Sequence, residues 1–115
     1  MSQWGVQTME EMRSLLDRIS ESGIEVPQSV RKAMCSLHLE QFTTYDFNGF
    51  FHDRPVVFME TENGGVKTIS APHMIVTLLH HLELNQGQEV LVVGSKGGYM
   101  AALIASIIGE DGRVV

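Results

Sequence analysis

Cysteine is nearly absent from this chain: Cys35 is the only one, so no internal disulfide can form. A lone free thiol suits a reducing compartment, and the expected location is the cytoplasm. Positive charge is also scarce, with 8 Lys and Arg against 14 Asp and Glu and a net charge of -6. Nucleic-acid recognition needs clustered cations, so no nucleic-acid partner is expected. No apolar run reaches the roughly 18 residues of a membrane span, so no membrane partner is expected either. The start, Met1-Ser2-Gln3-Trp4, lacks the basic residues and apolar run of a secretory leader. Five histidines are present, but no Cys or carboxylate stands at zinc-ligand spacing from them, and no metal is expected.

The remainder is ordinary globular composition, 43% apolar, 19% charged and 7% aromatic over 115 residues. That length suits one small fold, without internal repeats or low-complexity tracts. Met9, Met12, Leu15, Leu16 and Ile19 recur at helical spacing and predict a helix with one buried stripe, stopped by Gly23. Pro27 opens a second helix with Val30, Ala33, Met34 and Leu37 on one side. Residues 39–53 show no period but carry Phe42, Tyr45, Phe47, Phe50 and Phe51. They predict a packed irregular segment rather than a linker. Residues 55–59 predict a strand, Asn63-Gly64-Gly65 a turn, and residues 66–69 the hairpin partner.

Ser70 is placed to cap a long helix with Pro72 in its first turn, its apolar face formed by Met74, Ile75, Leu78, Leu79 and Leu82. His73 and His80, two turns apart, then share a solvated polar side. The Met residues on these helical stripes read as core filling, and nothing marks Cys35 as a nucleophile. Residues 89–93 form a short, almost wholly apolar run, the kind buried on both faces of a parallel sheet. Gly94 to Gly98 make a glycine loop, a helix follows to Gly109, and Arg113-Val114-Val115 begins another strand. The predicted class is therefore α/β. Residues 1–69 form a helical and hairpin subdomain, and residues 70–115 the first βαβ unit of a Rossmann-like sheet.

A glycine loop between strand and helix lets a ligand approach bare backbone, and the helix N-terminus behind it favours an anionic group. A plain tight turn would use the same residues. The spacing Gly94-x-x-Gly97-Gly98 does not match the dinucleotide fingerprint.

Four segments in order carry a resemblance. Val30-Arg31-Lys32-Ala33-Met34, with Glu40 and Phe42, is similar to a V-x-x-A-M…R-E-x-F segment. His52-Asp53-Arg54-Pro55 is similar to a D-x-P turn, and Thr68-Ile69-Ser70-Ala71-Pro72-His73-Met74 to a T-I-S-x-P-x-M signature. Residues 90–99 are similar to a strand and loop written L-(D/E)-(V/I)-G-(S/T)-G-(S/T)-G-Y. The family so resembled is that of the protein-L-isoaspartate O-methyltransferases. It implies a class I methyltransferase fold, S-adenosylmethionine as cofactor, and transfer of its methyl group to the α-carboxylate of L-isoaspartyl residues in proteins or peptides. It implies Ser70 at the substrate carboxylate, where positioning rather than a strong base does the chemistry. Gly94, Ser95, Gly97 and Gly98 would frame the cofactor, with Thr68, Ile69 and His73 lining the site.

Three departures from that pattern stand out. Val92 occupies the usual acidic place, Lys96 the middle glycine's, and Lys67 the usual Gln's. Valine cannot hold the cofactor's amino group. Lys96 either adds bulk where backbone approaches the ligand, points outward, or pairs with the methionine carboxylate. These features support an alternative, a non-catalytic methyltransferase-like module for binding or assembly. The expected sheet is incomplete at Val115, so the chain is read as part of a longer one, with self-association through open sheet edges as the other way to cover them.

Overall fold

The computed structural model describes residues 6–94 and 96–115. The expectation drawn from residues 1–4 and the expected cofactor role of Ser95 lie outside these described residues. The order is α1 (Met9–Glu21), α2 (Gln28–Ser36), two 3-10 turns (Leu39–Gln41 and Asn48–His52), β1 (Val56–Glu60), β2 (Val66–Ile69), α3 (Pro72–Leu82), β3 (Glu89–Val90), α4 (Tyr99–Ile108) and β4 (Arg113–Val114). This is the α/β arrangement read from the sequence.

The core begins with α1, whose Met12, Leu15, Leu16 and Ile19 are buried while Met9 is exposed. Met9 sits at the first helical residue, above the surface that its stripe covers. Thr8 accepts a hydrogen bond from the Glu11 N–H at 3.1 Å and caps this helix. α2 packs on both α1 and α4 and buries Val30, Ala33 and Met34. The aromatic segment closes the core, with Phe47, Phe50 and Phe51 buried and Phe50 meeting Tyr99 edge to face at 5.9 Å. Gln7, 2% exposed, ties these parts together. Its side chain donates to the Met34 carbonyl at 3.3 Å and accepts from the Leu39 N–H at 3.0 Å. Residues on both sides of the 69/70 boundary share this core.

β1 and β2 form the expected antiparallel hairpin, with Val56 opposite Ile69 and Glu60 opposite Val66. The register slips between Val57 and Met59, so Phe58 is the extra residue of a bulge. β3 and β4 pair in parallel, Glu89 with Arg113 and Val90 with Val114. The ladder continues where the Val92 N–H donates to the Val115 carbonyl at 2.9 Å.

Three expectations need correction. Ser70 does not cap α3: the cap position is Ala71, and no side chain of the cap residue bonds the helix. The α3 stripe is narrower than predicted, because Met74, Leu78 and Leu82 are exposed and the buried face is Pro72, Ile75, Val76 and Leu79. The two apolar stripes of this helix are both good by periodicity, and the core can meet only one. Finally, residues 89–93 are not buried on both faces, with Leu91 71% and Val93 85% exposed. Among the described residues β3 has one strand neighbour, and only Val90 and Val92 pack toward the core. No helix among the described residues is long and apolar enough to cross a membrane. Nor do three or more His, Cys, Asp or Glu side chains gather there as a metal group.

Candidate functional site

The segment from Ile69 to His73 enters α3 without a local side-chain cap, and a distant residue supplies one. The His73 N–H donates to Asp53 Oδ1 at 2.8 Å, and His73 Nδ1 lies 3.0 Å from the same carboxylate. Asp53 reaches this position because its backbone is left-handed, φ 60°, at the end of the second 3-10 turn. Asp tolerates that conformation better than most residues. A tertiary cap thus replaces the local one, and it explains mechanically why the D-x-P turn and the T-I-S-x-P segment belong together. His73 is consequently half-buried and paired, not part of a solvated face.

The consequence for Ser70 is freedom. Its hydroxyl makes no hydrogen bond among the described residues, and it lines a cleft of about 60 Å³. The other walls are Phe58, Ile69, Ile75, Tyr99 and Met100, with Lys96 and Gly97 from the glycine loop. Two segments far apart in the chain therefore meet at one small opening. Phe58 is there because of the β1 bulge, which turns its ring toward the loop. A Cβ on Gly97 would stand 2.9 Å from that ring. Where the resembled pattern has Ser or Thr, this chain has glycine, and a side chain there would require the Phe58 ring to shift.

Gly94 and Gly98 have φ of 69° and 89°, and nothing lies within 4 Å of where a Cβ would be. Gly98 is the cap residue of α4 and offers that helix no side-chain cap. The first turn of α4 therefore keeps its free N–H groups and partial positive charge for another acceptor. Lys96 follows suit with φ 52°, a left-handed backbone rare for lysine, and its side chain is exposed. Val92 packs against the core and offers no charge.

Of the residues expected to act together, Ile69, Ser70 and Gly97 share the cleft. Thr68 pairs with Val57 in the hairpin, and Gly94 and Gly98 shape the loop without lining the cleft. His73 faces a larger cavity of about 720 Å³, bordered by Arg18, His52, Asp53 and Arg54, which contains neither Ser70 nor any loop residue. Phe58, Ile75 and Met100 were not anticipated as cleft residues. Nothing in the residue order at 56–60 signals a bulge, so Phe58 had no available signal.

The Tyr99 hydroxyl is buried without a hydrogen-bond partner among the described residues. Burial pushes its ionisation well above the ordinary tyrosine range, so it stays a neutral donor. Burial also raises the Cys35 thiol, which makes it a poor thiolate nucleophile.

These residues fit one end of S-adenosylmethionine. Open glycine backbone, an uncapped helix start and an exposed ammonium favour its carboxylate end. At Val92 no acid meets its amino group.

A family model described as protein-L-isoaspartate(D-aspartate) O-methyltransferase matches residues 10–115. A protein-L-isoaspartate O-methyltransferase of Methanothermobacter thermautotrophicus is 36% identical over 107 residues, which is 92% of this chain and 47% of that protein. A solved protein-L-isoaspartate O-methyltransferase superposes with a TM-score of 0.74 at 24% identity, over 90% of this chain and 32% of that one. A Plasmodium falciparum structure described as such an enzyme, in complex with S-adenosyl-L-homocysteine, gives 0.68 at 25% identity, over 90% and 46% of the two chains. The chain spans about half the length of the curated relatives it matches.

Proposed function

The chain belongs to the protein-L-isoaspartate O-methyltransferase family, and from that premise we propose that it contributes to methyl transfer onto the α-carboxylate of L-isoaspartyl residues in proteins or peptides. The observation that carries the reading is the shared cleft, where Ser70 of one family segment meets Lys96 and Gly97 of another. S-adenosylmethionine, when bound, supplies an electrophilic methyl on sulfur. A carboxylate is already a nucleophile, so the protein's task is alignment. Ser70 donates to one carboxylate oxygen and leaves the other directed at the methyl carbon. With the C–S electron pair leaving on sulfur, the bound donor would need only to be held in line with that oxygen. No proton has to move. Gly94, Ser95, Gly97 and Gly98 frame the cofactor in this proposal, and Thr68, Ile69 and His73 hold the segment that carries Ser70.

The test is transfer of radiolabelled methyl to an isoaspartyl peptide, with its normal aspartyl counterpart as control. Base-labile label in the first alone supports the proposal, and Ser70→Ala should cut the rate by about tenfold or more. No label in either would overturn it.

Val92 supports a second reading, a methyltransferase-like module that binds without catalysing. Saturable cofactor binding with no label transferred would favour that one. The free Cys35 is compatible with a cytoplasmic setting. The net charge argues against nucleic acid, and the exposed Leu91, Val93 and Val115 beside β3 and β4 support self-association there.

A further inference from the structure

We infer that Lys96 is a carboxylate-binding residue, which supplies the positive charge that a carboxylate needs in the Ser70 cleft. The inference rests on the methyltransferase reading and adds a residue that the family pattern does not contain there. Four observations carry it. First, the cleft is about 60 Å³, the volume of roughly two water molecules. A carboxylate group fits that space. Second, five of its eight lining residues are Phe58, Ile69, Ile75, Tyr99 and Met100, so an anion entering it loses water and needs a partner charge. Ser70 offers one neutral donor, no acidic side chain lines the cleft, and Lys96 is the one formal charge on it.

Third, Lys96, like most Lys and Arg among the described residues, forms no ion pair, so its ammonium is available to a ligand. In a chain of net charge -6, an anionic ligand needs a local cation of this kind. Fourth, Lys96 holds a left-handed backbone at φ 52°, which costs any residue but glycine. The neighbouring Gly94 and Gly98 take that conformation freely. A lysine kept where glycine would relax the loop stores strain at a ligand-facing position, where such strain is found when the side chain is used.

The carboxylate has two sources, the methionine end of the cofactor and the isoaspartyl residue of the substrate. Calorimetric titration of the full chain distinguishes them. One arm compares S-adenosyl-L-homocysteine with its decarboxylated analogue. The other compares an isoaspartyl peptide, in the presence of S-adenosyl-L-homocysteine, with the same peptide carrying an α-carboxamide. The unaltered chain should prefer the carboxylate form in one arm, and Lys96→Met should reduce that preference by about tenfold or more. Lys96→Arg should restore most of it. Lys96→Gly separates binding from stability: it should raise the melting temperature of the free chain and still lose the preference.

Loss in the first arm assigns the cofactor carboxylate, and loss in the second the substrate carboxylate. No carboxylate preference in either arm, or one that survives both Lys96→Met and Lys96→Gly, overturns the inference while leaving the methyltransferase reading intact. If the unaltered chain binds neither S-adenosyl-L-homocysteine nor the peptide, both fall together.

Discussion

Phe47 and Phe50 are 1% and 0% exposed, whereas Leu91 and Val93 are 71% and 85% exposed. All four are large apolar residues in segments without a clean helical period. The difference lies in what surrounds them. Phe50 sits among α1, the aromatic segment and the Tyr99 ring, with an edge-to-face partner on two sides. Leu91 and Val93 flank a two-stranded ladder with one neighbour strand. Apolar character creates a demand for burial, and only tertiary partners meet it.

The largest effect should come from the first region. Phe50→Ala removes a side chain with no access to solvent and leaves a cavity between rigid neighbours, at a cost of about 3–5 kcal/mol. Urea denaturation of the 115-residue chain measures it. A loss under about 1 kcal/mol would mean that the aromatic segment yields and that the contrast with residues 91–93 is not one of packing.

Next comes the polar tie across the same region. Gln7→Ala leaves the Leu39 N–H without its acceptor and the Met34 carbonyl without its donor, both buried, for about 1–3 kcal/mol. An effect near zero would show that water enters to replace the amide.

Asp53→Ala should cost about 0.5–2 kcal/mol, the range of a lost helix cap. The His73 ion pair adds little, because its partners are 46% and 38% exposed. Asp53→Asn keeps an acceptor for the His73 N–H and should retain most of the stability. If the asparagine variant falls as far as the alanine one, charge and not capping holds the segment.

These effects follow what was legible beforehand. Helices α1 and α2, the hairpin and its turn were readable because their signals are local: periodicity, Gly23, Pro27 and Asn63-Gly64-Gly65. The aromatic run was readable as core from composition alone. The glycine loop and Ser70 were readable from their resemblance to family segments. What escaped depends on contacts across the chain. Ser70 has the chemistry of a cap, but Asp53 takes the role from 20 positions away. Phe58 reaches the cleft through a bulge that no residue announces. The second stripe of α3 and the run at 91–93 satisfy periodicity and burial rules that only the neighbours can enforce.

Acid should report on the Gln7 junction with a smaller signal. Burial alone would raise the Glu40 carboxyl, but hydrogen bonds from its own N–H, the Gln7 N–H and His38 outweigh it and hold it below its ordinary 4.5. A lowered folded value means stability that is complete above about pH 4.5 and lost as the pH falls through the lowered value. Glu40→Gln should remove that part of the acid slope, as read from melting temperatures between neutral and acidic pH. A slope unchanged by the substitution would assign it to other carboxylates.

The smallest expected effect is at the exposed edge, and it bears most directly on the contrast. Leu91→Ser and Val93→Ser remove apolar surface that is already in water, so monomer stability should change by no more than about 0.5 kcal/mol. The pair to watch is stability and association measured together. If sedimentation shows a monomer before and after, the edge is solvated and the two regions differ as the packing argument says. If the serines dissolve an oligomer and stability falls with it in a concentration-dependent way, then the edge is buried in solution by a second copy. Residues 91 and 93 would then be core residues of an assembly, with the same physics as Phe50 and a partner supplied from outside the chain.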